Sequence, residues 1–171
     1  MTAGRTKGIL NMERINLILN NDKFIECMRV IAEHEVDRIF CRHGMDHSID
    51  VARIAYIINL EKQYGIEKSH IYAAALLHDI GRSKEYTTNE KHRTASVTIA
   101  ENILKNCSFK EDEIKCIIKA IKSHGNSNLE EDNIFGYVLY KADKLSRNCF
   151  ECNAYGECYW DEAKKNKGII I

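Results

Sequence analysis

From Asp22 to about Phe40, side chains return to one face every three or four residues: Phe24, Met28, Ile31 and Glu35, with Ile25, Val36 and Ile39 widening the stripe. That period predicts an amphipathic helix packed by one face. Gly44 breaks the pattern within CRHGMDH, and a second helix is expected from about Asp46 to Tyr64, with Val51, Ile54, Ala55 and Ile58 inward and Gly65 ending it. Ser69 stands in N-cap position before IYAAALLHDIG. This segment is apolar almost all round, which predicts the central buried helix, closed by Gly81. Lys84 to Asn89 reads as a loop.

A fourth helix is expected from about Glu90 to Asn106, with Ala95, Ile99 and Ile103 on one face. Ser108-Phe109-Lys110-Glu111 has the form of a capping box and opens a fifth helix through Ile114, Ile117, Ile118 and Ile121. Gly125 and the polar run to Asp132 form a loop. The sixth helix runs from about Asn133 to Asn148, through Phe135, Val138, Leu139, Ala142 and Leu145. A short cysteine-bearing segment and a polar terminal helix follow, and Gly168 to Ile171 is too short to assign.

No strand pattern emerges, and proline is absent. The fold class expected is therefore all-α, a single-domain bundle of about six to seven helices. An N-terminal segment (1–21) would precede the helical domain (22–148), with a cysteine-bearing C-terminal segment (149–171) packed on it. The 171 residues suffice for one core. With 25 basic and 25 acidic side chains, no overall field draws the chain to nucleic acid or an anionic membrane. The first twenty residues lack the apolar run of a signal peptide, and no window approaches the roughly 20 apolar residues of a membrane helix. A cytoplasmic protein is expected, of unread oligomeric state. Seven cysteines, an odd number, then point to metal or redox chemistry rather than disulfides.

The chemistry-bearing residues sit where a bundle would bury them. His78-Asp79 ends the most apolar helix, where an isolated charge is costly unless paired or metal-bound. His47 starts helix two on its inward side, and His92 starts helix four in phase with Ala95 and Ile99. His124 follows Ile121 by three residues, and Asp143 follows Leu139 by four. Taken singly, each is open to reading as a hydrogen-bonded core residue. Together they give five helices, each pointing a ligand-type side chain inward, which is how helical bundles build metal sites.

The segments HSIDVARIA from His47, LLHDIGR from Leu76, KHRTASVTIA from Lys91, SH at His124 and ADKLSR from Ala142 resemble the HD superfamily of metal-dependent phosphohydrolases over about residues 40–147. The resemblance implies an HD-type helical fold in which His47, His78, Asp79 and Asp143 ligate a metal. With His92 and His124 added, the order resembles the H…HD…H…H…D pattern of two-metal members, in which an Asp79-like carboxylate bridges. The alternative has His92 and His124 facing a single metal and binding substrate phosphate.

Mixed imidazole and carboxylate ligands suit transition metals more than calcium. Iron or manganese is expected by analogy with dinuclear members, with zinc, cobalt or nickel as alternatives. Such ions lower the pKa of bound water, to about 7 in the best zinc sites, and two ions can clamp a phosphoryl oxygen. Asp79, Arg82 and Lys144 are therefore the expected catalytic residues, with Arg82, Lys144 and Arg147 binding phosphoryl oxygens; Arg82 leads because its planar fork suits phosphate.

The chain lacks the GYP-type extension of cyclic-dinucleotide phosphodiesterases, the acidic pair after HD of alarmone hydrolases, and the added region of large dNTP triphosphohydrolases. The nearest likeness is to small dinuclear bacterial HD hydrolases acting on nucleotides, including those that cleave diadenosine tetraphosphate. A metal-containing nucleotide sensor without turnover is the competing class; a purely structural bundle is disfavoured by six ligand-type residues.

Cys149-x2-Cys152-x5-Cys158 follows Asp143, with Cys41 as the fourth thiol, and this set suits zinc or an iron–sulfur cluster as well as a loop of reduced thiols. It is similar to tails that follow DKLSR in bacterial HD proteins. Cys27, Cys107 and Cys116 read as ordinary helix-face cysteines.

Overall fold

The computed structural model describes residues 12–125 and 133–171. Helical residues 12–19 (α1) precede α2 (Asp22–His34), α3 (Met45–Glu61), α4 (Lys68–Leu77), α5 (Arg82–Thr88), α6 (His92–Asn106), α7 (Glu111–Ser123) and α8 (Ile134–Leu145). Among the described residues there is no strand. The expected loop over 126–132 lies outside them.

The core is built around α4. Ile71, Ala73, Ala74, Ala75, Leu76 and Leu77 are all buried, as the nearly continuous apolar pattern requires. Its alanines let α3 approach closely, while α7 and α8 cover other sides and α6 packs on α7. α1 adds Ile15 and Ile18 to the same core. Arg14 pins it there through Glu113 (2.7 Å), the Ser69 hydroxyl (3.2 Å) and the Phe109 ring (4.3 Å to its centre).

Several boundaries differ from the sequence pattern, for identifiable reasons. The first predicted helix stops at His34, because Glu35 turns inward and its carboxylate accepts from the His43 backbone N–H at 2.6 Å. Val36 and Ile39 therefore fall in an exposed connection, and Ile25 is exposed on α2. Ser69 is buried inside α4, whose N-cap is Glu67. α4 ends at Leu77, so His78-Asp79 stands in a tight turn rather than within the helix. α3 ends at Glu61, before Gly65.

The predicted loop at 84–89 is helix α5. Thr87 and Thr88 hydroxyls fold back onto the carbonyls of Ser83 and Lys84, and Asn89 closes the helix in the left-handed conformation (φ 58°). Ser108 also has positive φ (62°), so the cap of α7 moves to Lys110, whose N–H donates to Glu113 at 2.7 Å. The polar terminal helix does not form. Residues 152–171 take turns and irregular backbone, because a segment polar all round has no face to bury. Asn166 instead donates to the carbonyls of Lys144 and Arg147 at the end of α8, both at 2.8 Å.

Gly81 sets how closely the α4–α5 turn meets α6. A Cβ there would collide with the His92 carbonyl and the Ser96 backbone nitrogen, and the Gly81 N–H already donates to Ser96 Oγ at 2.9 Å. Gly81→Ala is expected to lower unfolding free energy by about 1–3 kcal/mol through overpacking. Gly168→Ala, in open space, should fall within about 0.5 kcal/mol of the parent. Thermal and denaturant unfolding of both variants checks the contrast.

Candidate metal centre

Helix ends deliver the ligand-type side chains. His47 lies in the first turn of α3, and His92 is the first residue of α6. His78 and His124 cap the C-termini of α4 and α7. Both capping imidazoles turn back on their own helix: His78 Nδ1 meets the Ala75 carbonyl at 2.8 Å, and His124 Nδ1 meets that of Ile121. A carbonyl only accepts, so each Nδ1 carries the proton and each Nε2 presents a lone pair when the ring is neutral. Asp143, from the buried face of α8, completes the group.

The same logic fixes the other rings. His92 Nδ1 donates to Glu85 Oε1 at 2.9 Å. The Ser146 hydroxyl donates to the Asp143 carbonyl at 2.8 Å and so accepts from His47 Nδ1 at 3.2 Å. With every Nδ1 anchored, the Nε2 atoms converge on two carboxylates. Nε2 of His78 and of His47 lie 3.3 and 4.0 Å from Asp79 Oδ2, whereas Nε2 of His92 and of His124 lie 3.9 and 3.8 Å from Asp79 Oδ1. Asp143 Oδ1 lies 3.3 Å from His47 Nε2 and 3.8 Å from that of His78.

Two sets, His47-His78-Asp79 and Asp79-His92-His124, each bring three ligand atoms within 4.8 Å, and Asp79 belongs to both. The donors suit a transition cation. His78 Nε2 and Asp79 Oδ1 are buried without a hydrogen-bond partner, as expected of atoms meant for a metal.

The site's electrostatics demand positive charge. Burial would raise the Asp79 carboxyl, but His78, Arg82 and His43 outweigh it and hold it well below the usual range. Burial likewise would raise Asp143, and His47, His78 and Arg147 reverse this. His78, fully buried, would be lowered by burial, yet the two carboxylates push it up to about 10. Burial carries His47 and His124 down to about 4, so both rings are neutral near pH 7.

A fifth imidazole, His43, repeats the pattern. Its Nδ1 donates to Glu35 Oε1 at 2.6 Å, Tyr86 donates to the same oxygen at 2.6 Å, and its Nε2 lies 3.9 Å from Asp79 Oδ2. Burial opposes ionisation of Glu35, but these hydrogen bonds hold its pKa at about 2. The sequence signal was Glu35 itself: an acid in phase with a core stripe needs a buried partner.

A cavity of about 240 Å³ opens onto this group. Five cations line it: the expected Arg82, Lys144 and Arg147, with Arg38 and Arg93 in addition. Arg82 Nε stands 3.3 Å from Asp79 Oδ1, and Lys144 Nζ 2.7 Å from Asp143 Oδ2. Arg147, only 8% exposed, sets Nη2 3.2 Å from both His47 Nε2 and Asp143 Oδ1, so its contacts here are with the ligand pair. Tyr159 and Trp160 form an aromatic wall. Cys41 and Cys158 also border this cavity, and with Cys149 and Cys152 they line a neighbouring one of about 310 Å³.

In sequence, residues 44–148 match the HD domain family. The chain is 42% identical over 155 residues to an uncharacterized protein of Clostridium beijerinckii, covering 91% of this chain and 97% of that one. It is 29% identical over 139 residues to ribonuclease Y of Mycoplasma mycoides, and 29% over 121 residues to ribonuclease Y of Acetivibrio thermocellus. These matches cover 81% and 71% of this chain but 25% and 21% of the ribonucleases, so the chain spans about a quarter of their length. No solved structure matches. HD domains are generally associated with metal-dependent phosphohydrolase activity. With its helical fold, its ordered histidine and aspartate motif and a match across more than half its length, the chain belongs to the HD domain family.

Proposed function

We propose that this protein hydrolyses a phosphate ester or phosphoanhydride of a nucleotide-type substrate at a dinuclear centre of divalent transition ions. The observation that carries this reading is the position of Asp79, one carboxylate common to two three-ligand sets inside a cation-lined pocket. His47, His78, Asp79 and Asp143 would hold one ion, and Asp79, His92 and His124 the other. The mixed ligands suit divalent transition ions, and analogy with dinuclear HD members favours iron or manganese, with zinc, cobalt or nickel as the alternatives. Bound ions would acidify water and polarise the phosphoryl group.

The chain's own groups supply the rest. Asp79, common to both sets, would hold the ions that position the attacking water. Arg82 and Lys144 neutralise the phosphoryl oxygens as charge develops, helped by Arg38 and Arg93. Arg147 steadies Asp143 and His47 from behind. The base would stack on the wall of Tyr159 and Trp160, which supports a nucleotide over a bare phosphate ester. Among the described residues no helix is long and apolar enough to cross a membrane. The ribonuclease Y relatives make an RNA phosphodiester a further substrate to include in the test.

The purified protein, loaded in turn with iron, manganese and cobalt, is expected to release phosphate or a shortened nucleotide from at least one of a panel of nucleotides, dinucleotides and short RNAs. Asp79→Ala should reduce kcat/KM by on the order of 10³-fold or more. Nucleotide binding by calorimetry with no turnover under any metal would instead identify a sensor.

Metal counting tests the two-ion arrangement. Two ions per chain are expected in the parent, one in His92→Ala, and fewer than one in Asp79→Ala; a parent with one ion contradicts the bridge. Glu35→Gln, which removes the charge anchoring His43, should lower metal affinity or kcat/KM by about 10–100-fold. Unchanged kinetics would remove His43 from the active centre.

A further inference from the structure

Four cysteines converge on one cavity from two distant parts of the chain. Cys41, before α3, meets Cys149, Cys152 and Cys158, after α8, around a space of about 310 Å³. All four are free thiols. Burial raises the Cys41 thiol, Arg147 opposes this, and the other three cysteines raise it further, so all three lie within electrostatic reach of Cys41.

Their spacing separates two kinds of occupant. A tetrahedral zinc, with Zn–S near 2.3 Å, holds its sulfurs about 3.8 Å apart. Among the described residues, the sets whose ligand atoms gather within 4.8 Å both belong to the histidine and aspartate centre, and no three of these sulfurs are so close. The four thiols line a cavity of about 310 Å³ with no three of them gathered at one point, which leaves room for a cluster of several irons.

Arg147 supplies an independent observation. It lines this cavity, is 92% buried by its 8% exposure, and its Nε has no hydrogen-bond partner. A buried guanidinium N–H without an acceptor is costly, and cluster or cysteine sulfur is an acceptor of the kind that tunes such centres. The tail also needs a fastening. Residues 152–171 have no helix or strand, and Ala154 is the only buried residue in that stretch. Beyond the Asn166 hydrogen bonds to the end of α8, a metal link is one way to hold a segment with so little core.

We propose that Cys41, Cys149, Cys152 and Cys158 hold an iron–sulfur cluster that fastens the C-terminal segment against the connection before α3. Phe40, Cys41, Arg147, Cys158 and Trp160 border both this cavity and the metal pocket. The cluster therefore fixes the wall that carries Trp160.

Iron and acid-labile sulfide are to be measured on the full-length protein purified without oxygen, together with its visible absorption. Sulfide distinguishes this site from iron at the histidine centre, and the assay needs no turnover. Near-equal iron and sulfide are expected at the cysteines, persisting in Asp79→Ala. Both should be lost in Cys152→Ser and in Cys41→Ser, while the exposed Cys116→Ser retains them. Circular dichroism of each variant verifies that helices α1–α8 remain. Absence of sulfide, zinc alone retained by the cysteines, or sulfide unchanged in both serine variants overturns the proposal.

Discussion

Two buried carboxylates govern this structure. Asp79 and Asp143 lie within a helical core, where ionised groups are costly by several kcal/mol each unless matched by positive charge. Everything around them answers that demand. Five imidazoles, three guanidinium or ammonium groups in direct contact and a pocket lined by further arginines face the same small volume. His78 shows the strength of the field, since complete burial fails to keep its pKa from rising to about 10. A divalent cation answers the same field with charge to spare.

Helix termini make the convergence possible. Carbonyls at the C-terminal ends of α4 and α7 accept hydrogen bonds from Nδ1 of His78 and His124, turning both Nε2 atoms inward. Glu85 does the same for His92 from α5, and Glu35 for His43 from the end of α2. These supporting contacts hold Nδ1 on its partner and leave Nε2 facing inward, an orientation that residue identity alone leaves open. Gly81 then lets the His78-Asp79 turn sit directly against α6, which brings His92 to the other oxygen of Asp79.

Much of this was legible in the sequence. Apolar periodicity located α3, α6, α7 and α8, a nearly continuous apolar run located α4, and polar residues lying in phase with the stripes marked His47, His92, His124 and Asp143. What escaped depends on contacts between residues far apart. The 84–89 stretch has no apolar stripe, and its helix is held by side-chain returns and an αL cap. His43 sits in a segment broken by Gly44, and its role follows from Glu35, eight residues away, and Tyr86, fifty-one beyond that. The expected terminal helix does not form, because good helix formers without an apolar face gain nothing from packing.

The most direct measurement is diffraction from crystals of the metal-loaded protein, recorded at the absorption edge of the bound element. The account predicts two anomalous peaks on either side of Asp79, about 3.5–4 Å apart as in two-metal sites, one against His47, His78 and Asp143 and the other against His92 and His124. Density with no peak within ligand distance of Asp79 would contradict it.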